Sequence, residues 1–571
     1  MFDITRKFTV QIDGGGKLVL GPNDHVATGG EGHVFRKGRI AIKIWGDATR
    51  AAQGRMPERI RILSALRDPM VIAPEALVRD TAGREIGFTM PWVENSWAVP
   101  LAFTNDWRVS NGFGDAEALA FSSRMRQATA AIHAMGVTIG DANELNVLGK
   151  DREPRFIDVD SWIPAGFTGD KIMPTVRDWH TAPFSREADW FAWGVVTYQL
   201  LTGIHPYRGT HPNFKRADME GRMKANASVF DPGVRLPAAV RDSSRIPGPL
   251  LDWYVATFRD GVRTLPPDPA VLHTPSAAPR RATGIRSAVG FLVVEAWGLP
   301  APLLHMVAPD ILMLEGGLLV SLADGRAYGK VNTCAALARA ADGAIHGITA
   351  DGGMLRFGML RAAPGISMSM TETGIAASGV WASENRIFAV VADGILEIEV
   401  RDLGARHAAL PGRKWALNPN STTFGDGVAL YDALGAAHLV APLADGGVSI
   451  VRTRELDGLK PIAMVRRGRV AVLSLMDRSG HYKRAVGLLD EASARWTFEV
   501  ADAEDGNLTD VVTPTGVVVR FDADGKLDLY VPASGARRSG DAGEAVGGRL
   551  LAGPSGTHCA VGEKVFRVTV A

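Results

Sequence analysis

The sequence predicts two structural classes in one chain: an α+β region followed by an all-β region. Three observations predict it. The chain has 571 residues, more than one ordinary core accommodates, so two to four domains are expected. Short apolar runs with glycine turns, then long helical periods, precede a proline- and alanine-rich stretch, "TLPPDPAVLHTPSAAPRRATGIR", which reads as a linker over 264–286. Beyond it a hairpin signature recurs at a nearly constant interval, with hardly a helical period.

Composition narrows the function classes. Apolar residues make up 46% and charged ones 22% of the chain, as in a globular protein. The formal net charge of +1 gives no overall field that would favour nucleic acid or an anionic membrane. Cys334 and Cys559 lack metal-site spacing and cannot build a disulfide framework, which fits a reducing cytoplasm. "MFDITRKFTV" has no apolar signal core. The most apolar window is interrupted by Glu295, Pro300, Pro302 and Asp310, so it should not span a bilayer. A soluble, cytoplasmic protein is expected.

In the first region, "KFTVQI", "KLVLG", "HVFRKG" and "RIAIKIW" read as strands. "DAEALAFSSRMRQATAAIHAMG" carries Leu119, Phe121, Met125, Ala128, Ile132 and Met135 at helical spacing and ends on Gly136, a glycine C-cap. "DWFAWGVVTYQLLTG" is apolar on nearly every side and reads as a core helix. Between two of the strands lies "ATGGEGHVFRKGRIAIKIW". Gly29, Gly30 and Gly32 form a turn that either closes a plain hairpin or brings backbone N–H groups against phosphate oxygens. Lys43 stands between Ile42 and Ile44 on the next strand, so it must either snorkel to solvent or meet an anion.

Further on, "TIGDANELNVLGK" at 138–150 and "FIDVDSW" at 156–162 place Asp141, Asn146, Asp158 and Asp160 between apolar segments. Such hard oxygen ligands suit a divalent cation. In this order, the first 260 or so residues resemble the eukaryotic-like (Hanks-type) protein kinases, and the resemblance implies a bilobal kinase-like fold. The lobes would span 1–95 and 96–263. Ala27, Gly29, Gly32 and Val34 fall on the family's Gly-rich loop, with its first glycine replaced. The resemblance implies that Lys43 grips the phosphates of ATP and that Glu58, in "MPERIRILSAL", fixes Lys43. It implies a hinge at "GFTMPWVEN", with Met90 as gatekeeper and adenine bonded to backbone near Pro91, Trp92 and Val93. Asp141 would orient the attacking hydroxyl, Asn146 and Asp158 would hold magnesium, and Asp189 would brace the catalytic loop.

The departures from the family bear on activity. Ile139-Gly140-Asp141 stands where His-Arg-Asp is usual, so the arginine that reads an activation-segment phosphate is absent. Phosphorylation of Ser161, Thr168 or Thr175 should therefore not be required. Asn143 replaces the lysine two residues after the catalytic aspartate, and Asp158-Val159-Asp160 replaces Asp-Phe-Gly. "TAPF" at 181–184 loosely matches Ala-Pro-Glu, with Phe184 in place of the acid. "GDANELN" and "IDVDSW" are similar to a bacterial subgroup carrying G-D-x-N-x-x-N and I-D-V-D-S. That subgroup implies as partners a von Willebrand A-domain protein and a metal-dependent phosphatase. Asp160 is open to two readings, a further metal ligand or a turn-capping aspartate.

In the second region, 287–571, turn residues fall near 324, 351, 393, 434, 478, 524 and 562. Most intervals are roughly 40 to 46 residues, the length of a four-stranded blade, so a β-propeller of six or seven blades is expected, with a pair of β-sandwiches as the alternative. "KVFRVTVA" should close the ring by pairing with the first blade. Trp297, Trp381, Trp415 and Trp496 read as packing residues, and Asp324, Asp351, Asp393 and Asp524 as turn formers. His305, His346, His407, His438, His481 and His558 read as isolated, without metal-site spacing. The linker's composition predicts few contacts across it, with 287–571 able to fold alone. Two functions follow: a serine/threonine kinase that uses ATP and magnesium and docks protein on the propeller, or a nucleotide-binding pseudokinase scaffold.

Overall fold

The computed structural model describes residues 4–46, 55–169, 171–271, 291–331, 336–340, 342–361, 365–403, 407–490, 493–522 and 525–570. Linker residues 272–286, Cys334 and Asp524 lie outside the described residues.

The N-terminal part is one antiparallel sheet. Its strands are β1 (Phe8–Ile12), β2 (Lys17–Leu20), β3 (His25–Thr28), β4 (Gly32–Lys37), β5 (Ile40–Trp45), β6 (Ala76–Arg79) and β7 (Glu85–Pro91), in the order β2-β1-β6-β7-β5-β4-β3. Strand alternation decides what β5 presents to each side. Ile42 and Ile44 enter one apolar cluster with Val10, Phe35 and Val78. Trp45, on the opposite face, packs with Phe88 and with Met56 and Ile60 of helix α1 (Met56–Leu63). Lys43 shares that second face by parity.

The following part is mostly helical: α2 (Asn105–Ser110), α3 (Asp115–Ala134), α4 (Arg186–Thr202), α5 (Met219–Lys224) and α6 (Gly248–Phe258). Ser185 caps α4 by accepting from the Ala188 N–H, and Gly203 at φ 85° ends it. Between these caps every residue from Ala188 to Thr202 is buried, as the all-round apolar pattern predicts. Helix α3 ends before Gly136, which has φ 75°; Met135, expected on the buried face, is exposed because the helix has already ended there. Residues 264–271 lie back on α3, where the Ser123 hydroxyl donates to Asp268 and Arg126 donates to the Pro266 carbonyl.

Among the described residues the second region contains seven four-stranded antiparallel sheets. Six follow one another in the chain, over 303–330, 336–376, 379–416, 422–452, 460–502 and 511–540. The seventh joins the strands over 549–570 to Phe291–Gly298, so the last strand, Lys564–Val570, pairs with the first. Neighbouring sheets touch in cyclic order: Trp381 donates to the Gly425 carbonyl, the Asp426 N–H donates to the Met464 carbonyl, and Arg549 donates to the Leu304 carbonyl across the junction. This closed ring of separate sheets is incompatible with two β-sandwiches. The turns near 351, 393, 434, 478 and 562 are the same hairpin, between second and third strands, in five of the sheets, whereas the turn near 324 joins the third and fourth strands.

The linker's composition misleads about contacts. Met476 and Tyr482 of the ring belong to the core of the helical part. Glu504 accepts from the Gly209 N–H at 3.0 Å and pairs with Arg216, and Asn507 accepts from the Asn105 N–H at 2.8 Å. On the other side Asn418 donates to the His25 carbonyl at 2.6 Å, and Arg36 donates to Asn420 at 3.2 Å. The ring thus docks on both the sheet part and the helical part. Helix α2 also closes one end of a cavity of about 500 Å³ lined by Leu303, Met464, Val511 and Leu550 from the first strands of several sheets. Among the described residues no helix is long and apolar enough to cross a membrane.

Buried histidine chemistry makes part of this interface sensitive to acid. His205 accepts from the Tyr207 N–H on Nδ1, so its Nε2 carries the proton donated to the Thr175 carbonyl at 2.8 Å. Burial lowers it from 6.5 to about 3. The unfolded chain then binds the proton first as pH falls, so stability declines below about pH 6.5 and by about 2 kcal/mol between pH 7 and 5. We expect denaturant titrations of wild type against His205→Gln to show this excess acid sensitivity only in wild type. Equal pH slopes would disprove it.

Candidate functional site

Lys43 meets anions. Its Nζ donates to Asp158 Oδ1 at 2.6 Å and Asp160 Oδ1 at 2.8 Å, with Glu31 at 3.4 Å. Burial alone would lower its pKa, but Asp158, Asp160 and Glu31 outweigh that and hold the ammonium well above its ordinary value. Asp160 is wholly buried; burial pushes its carboxyl above the ordinary range while Lys43 acts in the opposite direction, and its Oδ2 has no hydrogen-bond partner. Glu31, Asp158 and Asp160 offer oxygens within 4.8 Å of one another. Three carboxylates with one buried acceptor left over form a donor set that fits a hard divalent cation such as magnesium.

The turn that carries Glu31 is tight, with the Gly29 N–H donating to the Gly32 carbonyl at 2.8 Å. Gly32 is dictated by the sheet, because a Cβ there would overlap the Ile44 carbonyl on the neighbouring strand. Gly30 borders open space. Val34 pairs with Lys43 across β4 and β5, which ties the turn to the lysine.

Asp158 adopts φ 60° and ψ 34°, the left-handed region, and opens a short 3-10 turn, Val159–Ser161. That turn places both Asp158 and Asp160 on Lys43. Asp160 is therefore a partner of the lysine, and it shows no capping bond to the turn.

The loop at 139–146 is held from beneath by Asp189, which accepts from the Ile139 and Gly140 N–H groups and bonds His133, each at 2.8 Å. Asp141 accepts from the Met173 N–H at 2.8 Å, and burial raises its pKa. Asn146 donates to the Asp141 carbonyl at 3.0 Å, which leaves its own side-chain oxygen without a donor among the described residues. The Ile157 N–H donates to the Asn146 carbonyl, so Asp158 and Asn146 are fixed beside one another. Gly140 has φ 79°, and a Cβ there would lie 3.0 Å from both Ile163 and Phe184. Phe184 occupies the space an arginine would need. Thr175, offered by sequence as a phosphorylation site, is 1% exposed.

Two expectations need correction. Glu58 does not approach Lys43. Helix α1 buries Met56, Arg59, Ile60 and Leu63, a stripe that turns Glu58 outward, where it is 53% exposed and pairs with Arg55. Trp92 cannot offer its N–H to adenine, because the Arg39 carbonyl already accepts it at 2.9 Å, and Pro91 has none. Of these three positions Val93 alone has an N–H without a backbone acceptor among the described residues, with Met90 beside the Trp45 and Phe88 cluster.

Sequence reasoning missed Glu31, whose only signal was an acid inside a glycine turn. It also took His346 and His407 as isolated. Nε2 of the first lies 2.8 Å from Nδ1 of the second, across the sheets at 336–376 and 379–416. Trp297 and Trp381 do pack between sheets, each bonding the next sheet's backbone.

No protein-family model matches the sequence, and no curated protein matches it.

Asp189 should be the residue this loop can least lose. We expect Asp189→Ala to strand two buried N–H groups and His133 and to cost about 3 kcal/mol or more in denaturant unfolding. A loss below about 1 kcal/mol would show that the loop is held another way.

Proposed function

We propose that the protein is an ATP- and magnesium-dependent serine/threonine protein kinase: a bilobal kinase-like unit followed by a seven-bladed β-propeller that holds or selects its protein substrate. The observation that carries this reading is the convergence of Lys43 with Asp158, 115 residues away, beside Asp141 and Asn146. The order of these residues along the chain and their roles suit phosphoryl transfer. Lys43 would bind phosphate oxygens. Asp158 and Asn146, joined by Glu31 and Asp160, would hold the magnesium that neutralises the phosphates. Asp141 would take the proton of the substrate hydroxyl. The hydroxyl oxygen then bonds to the γ-phosphorus as the bond to the β-phosphate oxygen breaks, leaving ADP and a phosphoester.

A second reading, a nucleotide-binding pseudokinase scaffold, draws support from a specific observation. Gly480 of the ring sits against Met173 and Thr175, within the stretch 161–179 that the resemblance identifies as the activation segment. On either reading the resemblance suggests a cytoplasmic protein working with a von Willebrand A-domain protein and a metal-dependent phosphatase.

Transfer from γ-labelled ATP to a generic protein or to the chain itself separates the two. A kinase should label its acceptor, and Asp141→Ala should reduce the rate at least 100-fold, about 2.7 kcal/mol of barrier. No transfer by wild type that binds MgATP would leave the scaffold reading in its place.

A further inference from the structure

The loop at 139–146 lacks a cation where the kinases it resembles carry one. Asn143 is buried and turned inward, its side chain accepting from the Leu145 N–H at 2.8 Å. No neighbouring residue of that loop is basic. Phosphoryl transfer without a second cation near the γ-phosphate would leave developing charge uncompensated.

The ring brings one to the same place. Two adjacent sheets straddle the cleft. In the sheet at 422–452, Gly435 lies against Thr28, whose atoms are within 3.9 Å of a Cβ built there, next to the glycine turn. In the sheet at 460–502, a Cβ at Gly480 would lie 2.9 Å from Met173 Sδ, and Met173 holds Asp141. The connection between these sheets, 453–459, delivers Lys460 as the first residue of the strand Lys460–Arg467. Lys460 pairs in register with Met476, itself part of the helical core, and Ile462 packs against that core. Lys460 therefore stands between the contact on the glycine turn and the contact on the Asp141 segment.

Burial lowers the pKa of the Lys460 ammonium; Asp158 is the carboxylate that opposes this shift, and Arg478, on the same sheet, adds to it. The Lys460 ammonium has no ion pair or hydrogen bond among the described residues, and the residue keeps exposure to solvent. Asp158 is meanwhile engaged by Lys43.

We propose that Lys460 of the ring binds the γ-phosphate of the nucleotide held at Lys43 and Asp158, in place of the lysine absent at Asn143. This rests on the nucleotide-binding reading above. It makes the ring part of the active site, and the docking of the ring a condition for binding the triphosphate.

Calorimetry of MgATP, MgADP and adenosine with wild type, Lys460→Met and Lys460→Arg tests it, with thermal unfolding as a check on folding. Lys460→Met should weaken MgATP about tenfold or more while leaving MgADP and adenosine within about twofold, and Lys460→Arg should recover most of the loss. MgATP bound equally by wild type and Lys460→Met would overturn this assignment alone. Equal weakening of all three ligands would also overturn it, because the effect would then not lie at the γ-phosphate. Wild type that binds no nucleotide would overturn the nucleotide reading, and this inference with it.

Discussion

A buried ammonium must be neutralised, and in this chain that single requirement organises the first region. Lys43 is only 7% exposed at its side chain, and an unpaired charge there would cost several kcal/mol. Three carboxylates from two distant segments meet it. Glu31 arrives on a turn whose tightness depends on Gly32 lying flat against β5, and Asp158 and Asp160 arrive on a 3-10 turn opened by a left-handed aspartate. The arrangement is over-supplied with negative charge. The surplus leaves one oxygen of Asp160 without a donor, and on the proposed reading that oxygen would help hold a divalent cation beside Lys43.

The ring adds a second constraint. Because it bonds His25 and Arg36 on one side and Asn105, Gly209 and Arg216 on the other, the angle between the sheet part and the helical part is not free to vary while the ring stays docked. In a kinase reading, opening and closing of the cleft become linked to whatever the ring binds. Shared burial of Met476 and Tyr482 in the helical core means that undocking would expose apolar surface, so such motion is costly.

Local chemistry was legible in the sequence, and distant geometry was not. The glycine turn and Lys43 on its strand follow from residue type and order, while Asp141, Asn146, Asp158 and the bracing Asp189 are singled out by the family resemblance; the structure brings Lys43 to Asp158, Asn146 to Asp141 and Asp189 beneath their loop. The sheet repeat was legible because one hairpin recurs in phase through most of the ring. Glu58 was misplaced because helix phase, set by which face of α1 meets Trp45 and Phe88, decides which of two neighbouring residues turns inward. Asp160 stayed ambiguous because its partner lies 117 residues away. The His346–His407 pair joins separate sheets, and no local pattern announces it. The linker reading erred for a related reason: its composition says nothing about surfaces elsewhere in the chain.

The central claim is that Lys43 and the acids around it form a magnesium-nucleotide site. The most direct measurement is the thermal midpoint with millimolar MgATP, with ATP plus chelator, and with MgATP added to Lys43→Ala. Preferential binding to the folded state should raise the wild-type midpoint by a few degrees, about 2.7 kcal/mol at a hundredfold excess over Kd. The rise should vanish when the metal is chelated and largely vanish in the variant. A midpoint that does not move with MgATP, or moves equally in Lys43→Ala, would contradict the account.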